Sequence, residues 1–307
     1  MKKVINIIGI LLLTVVGLHL LFGMYVWISN SVYLENINQS NVAYLRSNKV
    51  SSPNDKIKEN FFKGVFDEEF YNSNIFLLGE NHGFSDVQKI DLALVKHLQK
   101  EVGLGFYIAE MEFSLGNKLN TYINDSIQDQ ALLSEVVTKM KERIPQQASQ
   151  EFYNKWEEIR KFNLGLPDSQ RITVLGIDKE PGIDQEQVSR DSAMFKNLNR
   201  YIHKNNLKDE KFYGLFGYFH VMQKPIGKNT VEPFASRLAS SNIEHFRNVK
   251  SMVVYHLDSE VYFPENSQFP TPESEKIGFL NDDGPISLVK GINDLEEVTE
   301  AGSITLF

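Results

Sequence analysis

The chain contains no cysteine. That excludes disulfides, thiolate metal ligands and a thiol nucleophile, so any chemistry runs on carboxylates, histidines, hydroxyls or a metal. The absence leaves the compartment open, because a domain of this size buries enough core to do without disulfides. Basic charge is also scarce. Lys and Arg number 32 against 40 Asp and Glu, a net charge of −8 with no concentrated basic stretch, which argues against a nucleic-acid partner and leaves a small molecule as the expected ligand. No Ser-centred elbow, phosphate-cradling glycine loop or dinucleotide fingerprint occurs, nor any internal repeat or low-complexity tract.

What is present suits a folded protein. With 307 residues, 42% hydrophobic and 23% charged, the chain can bury a full core, and one large domain is expected. At its start, Val4 to Ile28 form an apolar run whose clearly polar members are Asn6 and His19, long enough to cross a bilayer core of roughly 30 Å as a helix. Lys2 and Lys3 precede it and no early positive charge follows, so the N-terminus is expected in the cytoplasm and the main domain outside. Tyr25 and Trp27 fall where an aromatic belt meets the interface, and no clean small-x-small cleavage site follows. The expectation is a single-pass cell-membrane protein with an uncleaved anchor, rather than a removed signal segment.

Residues 1–30 are therefore read as the transmembrane anchor or signal segment, 31–60 as a polar linker carrying Ser51-Ser52-Pro53-Asn54, and 61–307 as an α/β domain. Short apolar runs predict buried strands at Ile75 to Leu78, Phe106 to Ala109, Ile172 to Ile177, Phe212 to Phe216, Ser251 to Tyr255 and Ser303 to Phe307. Helical spacing covers Val87 to Glu101, Leu115 to Asn124, Leu132 to Arg143, Phe152 to Phe162 and Arg190 to Lys204. The alternation predicts a mostly parallel central sheet covered by helices on both faces.

In such sheets the ligand crevice lies at the carboxyl ends of the strands. Glu80, His82, Glu110, Glu112, Asp178 and His220 all fall there, and their charges should split one another's pKa values into acid and base partners or hold a metal. Asn81 and Gly83 flank His82 and let the loop turn sharply to present its imidazole. His220 repeats the pattern of strand, glycine and histidine in Gly217-Tyr218-Phe219-His220. Arg190, opening a helix with Asp191, could pair with Asp178 or Glu110. The blander readings make Glu110 or Glu112 a helix cap, Asp178 a turn residue and Arg190 half of a surface ion pair. His97 and His203 are expected on solvent-facing helix positions, and His245 and His256 carry no expected role.

Taken in order, Leu77-Leu78-Gly79-Glu80-Asn81-His82-Gly83, Ala109-Glu110, Trp156 to Asn163 leading into Gly176-Ile177-Asp178, Arg190 to Asn197 and Gly217 to Val221 give a family likeness. Over about residues 70–307 the chain resembles the superfamily of erythromycin esterase-like hydrolases, ChaN-like haem-binding proteins and Tiki/TraB proteins. The resemblance implies catalytic Glu80, His82, Glu110 and His220, activating water against an ester. Only Asn81 separates Glu80 from His82, one residue fewer than in the esterases and similar to ChaN-like members, and the doubled His-Asn-x-His form is absent. A macrolide substrate therefore does not follow. The expected function is an extracytoplasmic hydrolase of ester or amide bonds, with His82 as general base, Glu80 orienting it, and His220 with Glu110 serving the reacting group. A variant places a divalent metal between His82, His220 and Glu110. The alternative is an envelope protein that binds haem or a metal without turnover.

Overall fold

A computed structural model of the chain describes residues 2–51, 59–180, 182, 187–227, 231–264, 280–284, 286–299 and 304–306. Ser52-Pro53-Asn54, Ser303 and Phe307, which figure in the readings above, lie outside them. Six strands form one sheet: β1 (Ile75–Glu80), β2 (Phe106–Glu112), β3 (Thr173–Asp178), β4 (Phe212–Gly217), β5 (Val249–His256) and β6 (Ile304–Leu306), in the order β3-β2-β4-β1-β5-β6. The pairs β1/β4, β1/β5, β2/β3 and β2/β4 are all parallel. The helices are α1 (Lys2–Leu34), α2 (Gln39–Asn48), α3 (Glu68–Tyr71), α4 (Ser85–Val102), α5 (Phe113–Asn124), α6 (Gln130–Arg143), α7 (Gln150–Leu164), α8 (Arg190–Asn205), α9 (Phe234–Ser240), α10 (Glu244–Arg247) and α11 (Ile292–Glu296).

The apolar strand runs have a simple cause. All six residues of β1 are buried, because successive side chains point to opposite faces and both faces are covered. Phe76 and Leu78 pack with α4, α5 and α7 residues such as Leu94, Leu119 and Trp156, whereas Ile75 and Leu77 pack with Met194 and Leu198 of α8 and Phe234 of α9. Each such side chain stabilises the fold by about 1.5–3 kcal/mol. Ser149 and Ser189 accept hydrogen bonds from Phe152 N and Ser192 N at the starts of α7 and α8, and Gly103 in the left-handed region ends α4.

The chain divides into two compact units: Met1–Lys49, His256–Glu260 and Lys276–Ser303 form one, and Val50–Tyr255, Val261–Glu275 and Ile304–Phe307 the other. The first differs from the expected linker. Residues 39–48 fold as α2, capped by Asn38, whose side chain accepts from Ser40 N. Asp294 accepts from Asn38 N (2.6 Å) and Asn41 Nδ2 (2.8 Å), and Val42 is buried. Helix α1 is long and apolar enough to cross a membrane between Ile5 and Leu34.

His97 corrects another expectation. It is 3% exposed and meets Tyr71 Oη at 2.8 Å, because it stands on the same flank of α4 as the buried Leu94 and Leu98, where the Phe62, Phe66 and Tyr71 rings cover it. His203 is exposed near the end of α8, as its position predicts. His245 and His256 are buried.

Candidate functional site

The carboxyl ends of β1, β2, β3 and β4 carry the ionisable side chains. Glu80 ends β1 and is buried; His82, two residues on, donates its Nδ1–H to Glu80 Oε1 at 2.9 Å. That tautomer leaves Nε2 of the neutral ring as an acceptor. Gln88 Nε2 donates to Glu80 Oε2 and Gln147 Nε2 to Oε1, each at 3.4 Å, and Gln147 Nε2 also lies 3.1 Å from His82 Nδ1. Gly83 adopts φ +105°, and its carbonyl accepts from Tyr262 N at 2.7 Å, so the loop turns back immediately after His82.

Glu110 forms the floor between the two histidines. Its Oε2 accepts from Gly217 N at 2.6 Å, its Oε1 accepts from Arg190 Nη2 at 2.6 Å, and His220 Nε2 stands 3.6 Å from Oε1. His220 is held like His82, with its Nδ1–H donating to Asp191 Oδ1 at 2.7 Å, which also accepts from Phe234 N at 2.7 Å. Each imidazole thus has Nδ1 tied to a carboxylate.

Arg190 also binds Asp178 Oδ2 through Nη2 (2.5 Å) and Nε (3.0 Å), and Arg143 pairs with the same oxygen. A cation at the first residue of a helix opposes the macrodipole by about 0.3–1 kcal/mol, so Arg190 is placed there by its partners, not by α8. Asp191 beside it suits a helix start. Glu112 lies opposite Asp178 in the β2/β3 register, and its charge reaches Arg143. It occupies the N-cap position of α5 but makes no capping bond; Glu180 Oε2 instead accepts from Ser114 N at 3.0 Å. The cap reading of Glu112 is thus corrected.

Electrostatics separate the two central groups. Burial pushes the His82 pKa down, but the hydrogen bond and charge of Glu80, with the charge of Glu110, outweigh it, and the net shift is upward. For Glu110 burial pushes up, yet His82, His220, Arg190 and the Gly217 N–H together hold it below its usual range. Burial and the Arg190 charge lower the Arg143 pKa.

Arg143, Asp191, Gln88 and Gln147 were absent from the candidate residues read from sequence. Asp191 alone had a local signal, its place beside Arg190. Behind Glu80 and Glu110 lies a cavity of about 20 Å³, lined also by Gln88, Gln147, Lys155 and Trp156, with room for about one water.

A metal does not fit this geometry. Among the described residues no three His, Asp or Glu side chains are spaced to hold an ion, and both Glu110 oxygens are engaged, one by a cation.

Gly217 keeps the approach to His82 open. A Cβ there would lie 3.1 Å from His82 Nε2 and 3.6 Å from Glu110 Oε2, while the Gly217 backbone (φ −55°, ψ 140°) suits any residue. If His82 serves a reaction, Gly217→Ala is therefore expected to keep its stability and to lose about 10-fold or more in turnover, since small misplacements at a reacting centre are expensive. Comparing its kcat and its thermal midpoint with the parent checks this; loss of both together would point to packing instead.

No protein-family model matches the chain, and no curated protein does. Among solved structures, a protein from Bacillus cereus matches 78% of this chain and 83% of its own, at 12% identity and a TM-score of 0.51. A succinoglycan biosynthesis protein matches 74% and 79%, at 15% identity and 0.48. An erythromycin esterase variant in its open conformation matches 71% and 77%, at 12% identity and 0.38. The likeness to the Bacillus cereus protein, at 12% identity, is one of fold alone.

Proposed function

We propose that this protein is a membrane-anchored hydrolase of ester or amide bonds, its main domain outside the cytoplasm, in which His82 takes the proton from an attacking water. The observation that carries the reading is the His82–Glu80 pair. Its Nδ1–H is fixed at 2.9 Å, so Nε2 is the free acceptor, and Nε2 is the ring nitrogen close to Gly217 and, across it, Glu110. A half-buried base with a raised pKa is matched to general-base work near neutral pH. His220, held by Asp191 and facing Glu110, is placed to protonate or stabilise the reacting group, and Arg190 to keep Glu110 ionised. The length of α1 and the lysines at its start support the anchor and its orientation.

The test is turnover of a panel of small esters and amides by the detergent-solubilised full chain across pH. A general base works unprotonated, so activity should rise with pH through the His82 pKa, above the usual imidazole value of about 6.5. Glu80→Gln removes the charge that raises that pKa and leaves burial, so the limb should move to lower pH while the rate falls by about 10–100-fold through loss of orientation. No turnover of any ester or amide, or a limb indifferent to Glu80→Gln, defeats the proposal.

A further inference from the structure

Residues 287–298 run alongside residues 30–49, in the same direction. Asn30 makes two bonds to Ser287: its Nδ2 donates to Ser287 O (2.7 Å), and its Oδ1 accepts from Ser287 N (3.1 Å). Tyr33 Oη donates to Leu288 O (3.3 Å), Lys290 pairs with Glu35 (2.6 Å), Asp294 holds Asn38 and Asn41, and Lys49 Nζ donates to Val298 O (2.9 Å). The order is monotonic. The end of this segment nearest the apolar part of α1 is therefore 286–288.

That end exposes the wrong side chains for water. Ile286 is 53% and Leu288 67% exposed on either side of Ser287. Asn30 stands two residues beyond Ile28, the last of the apolar run, or about 3 Å along the helix axis at 1.5 Å per residue. The polar layer on each side of a bilayer core is about 6 Å thick. A chain bonded twice to Asn30 lies within that layer if α1 spans the membrane, and its apolar side chains are exposed there as those of Phe22 and Trp27 are on α1.

We propose that residues 286–288 form a second membrane contact, a loop seated in the phospholipid headgroup layer with Ile286 and Leu288 as its lipid-facing anchors. The inference rests on the spanning reading of α1. It makes the junction after α1 a two-point mount, with the C-terminal segment clasping α2 just above the bilayer.

The test uses the full chain in phosphatidylcholine vesicles, with acyl chains brominated at a shallow or a deep position as fluorescence quenchers. Three proteins are compared: the parent, Trp27→Phe, and Trp27→Phe combined with Leu288→Trp. Trp156, fully buried, is a constant background. Parent minus Trp27→Phe isolates Trp27, and the combined variant minus Trp27→Phe isolates the tryptophan introduced at position 288. The introduced residue should emit at blue-shifted wavelength and lose about half of its emission or more to shallow bromines, and less to deep ones, as interfacial tryptophans do. Red, unquenched emission there with Trp27 quenched overturns the loop contact and leaves the anchor standing. Blue but unquenched emission also overturns it, placing the loop against protein. An unquenched Trp27 overturns the spanning reading, and this inference with it.

Discussion

His82→Ala is expected to lower hydrolysis by about 10²–10⁴-fold, the usual contribution of a positioned general base. Glu110, held below its usual range by two histidines and Arg190, is a weaker base, and both of its oxygens are bonded. His220, its Nδ1 tied to Asp191, has its Nε2 3.6 Å from Glu110 Oε1, the place given above to the group that serves the reacting atom. The fold should tolerate the change, because the ring is partly exposed and Glu80 keeps the Gln88 and Gln147 amides when the imidazole goes. Single-turnover rates and thermal midpoints for His82→Ala and His220→Ala check this together. A His82→Ala protein with full activity would sink the role given to the imidazole, whatever His220→Ala did.

The sheet was legible because its strands are buried on both faces. A two-sided strand reads as an unbroken apolar run, and Ile75 to Leu78, Phe106 to Ala109 and Phe212 to Phe216 are such runs, each ending near an acid or a glycine. The strand-end histidines and acids were legible from the same endings. The supports around them were not. Arg143 closes α6, where a basic residue is ordinary, and its pairing with Asp178 spans 35 residues. Gln147 reaches Glu80 from a short turn 67 residues away. No local period encodes such meetings.

The same reason kept α2 out of the sequence reading. Residues 31–60 are rich in Asn and Ser, and α2 shows little apolar face beyond Val42. Its contacts are instead side-chain bonds to Asp294, more than 250 residues away in sequence. His97 was misplaced because it lies at the flank of the buried face of α4, and the rings that cover it, Phe62 and Phe66, come from a separate segment whose packing no local period encodes.

Asp91→Ala is expected to destabilise the domain by about 3–5 kcal/mol, because it strands a buried cation. Lys155 and Asp91 are both fully enclosed, with Nζ 2.5 Å from Oδ2. Tyr107 and Tyr213 donate to the same carboxylate at 2.9 and 2.7 Å. Burial and the Asp91 charge push both tyrosine pKa values well up, so the hydroxyls stay protonated donors at any physiological pH. The ammonium also lies 5.0 Å from the Phe152 and Trp156 rings and 5.8 Å from Tyr107, contacts that soften the desolvation of a lysine but do not replace a counter-ion. Removing Asp91 alone leaves the charge, two hydroxyls and a void; replacing the pair with apolar side chains removes the charge with its partner. Asp91→Leu combined with Lys155→Met should therefore cost much less than Asp91→Ala, within about 1–2 kcal/mol of the parent. Urea unfolding followed by Trp156 fluorescence reads the difference. If the double variant is as unstable as Asp91→Ala, the two buried tyrosine hydroxyls, and not the stranded ammonium, dominate the loss.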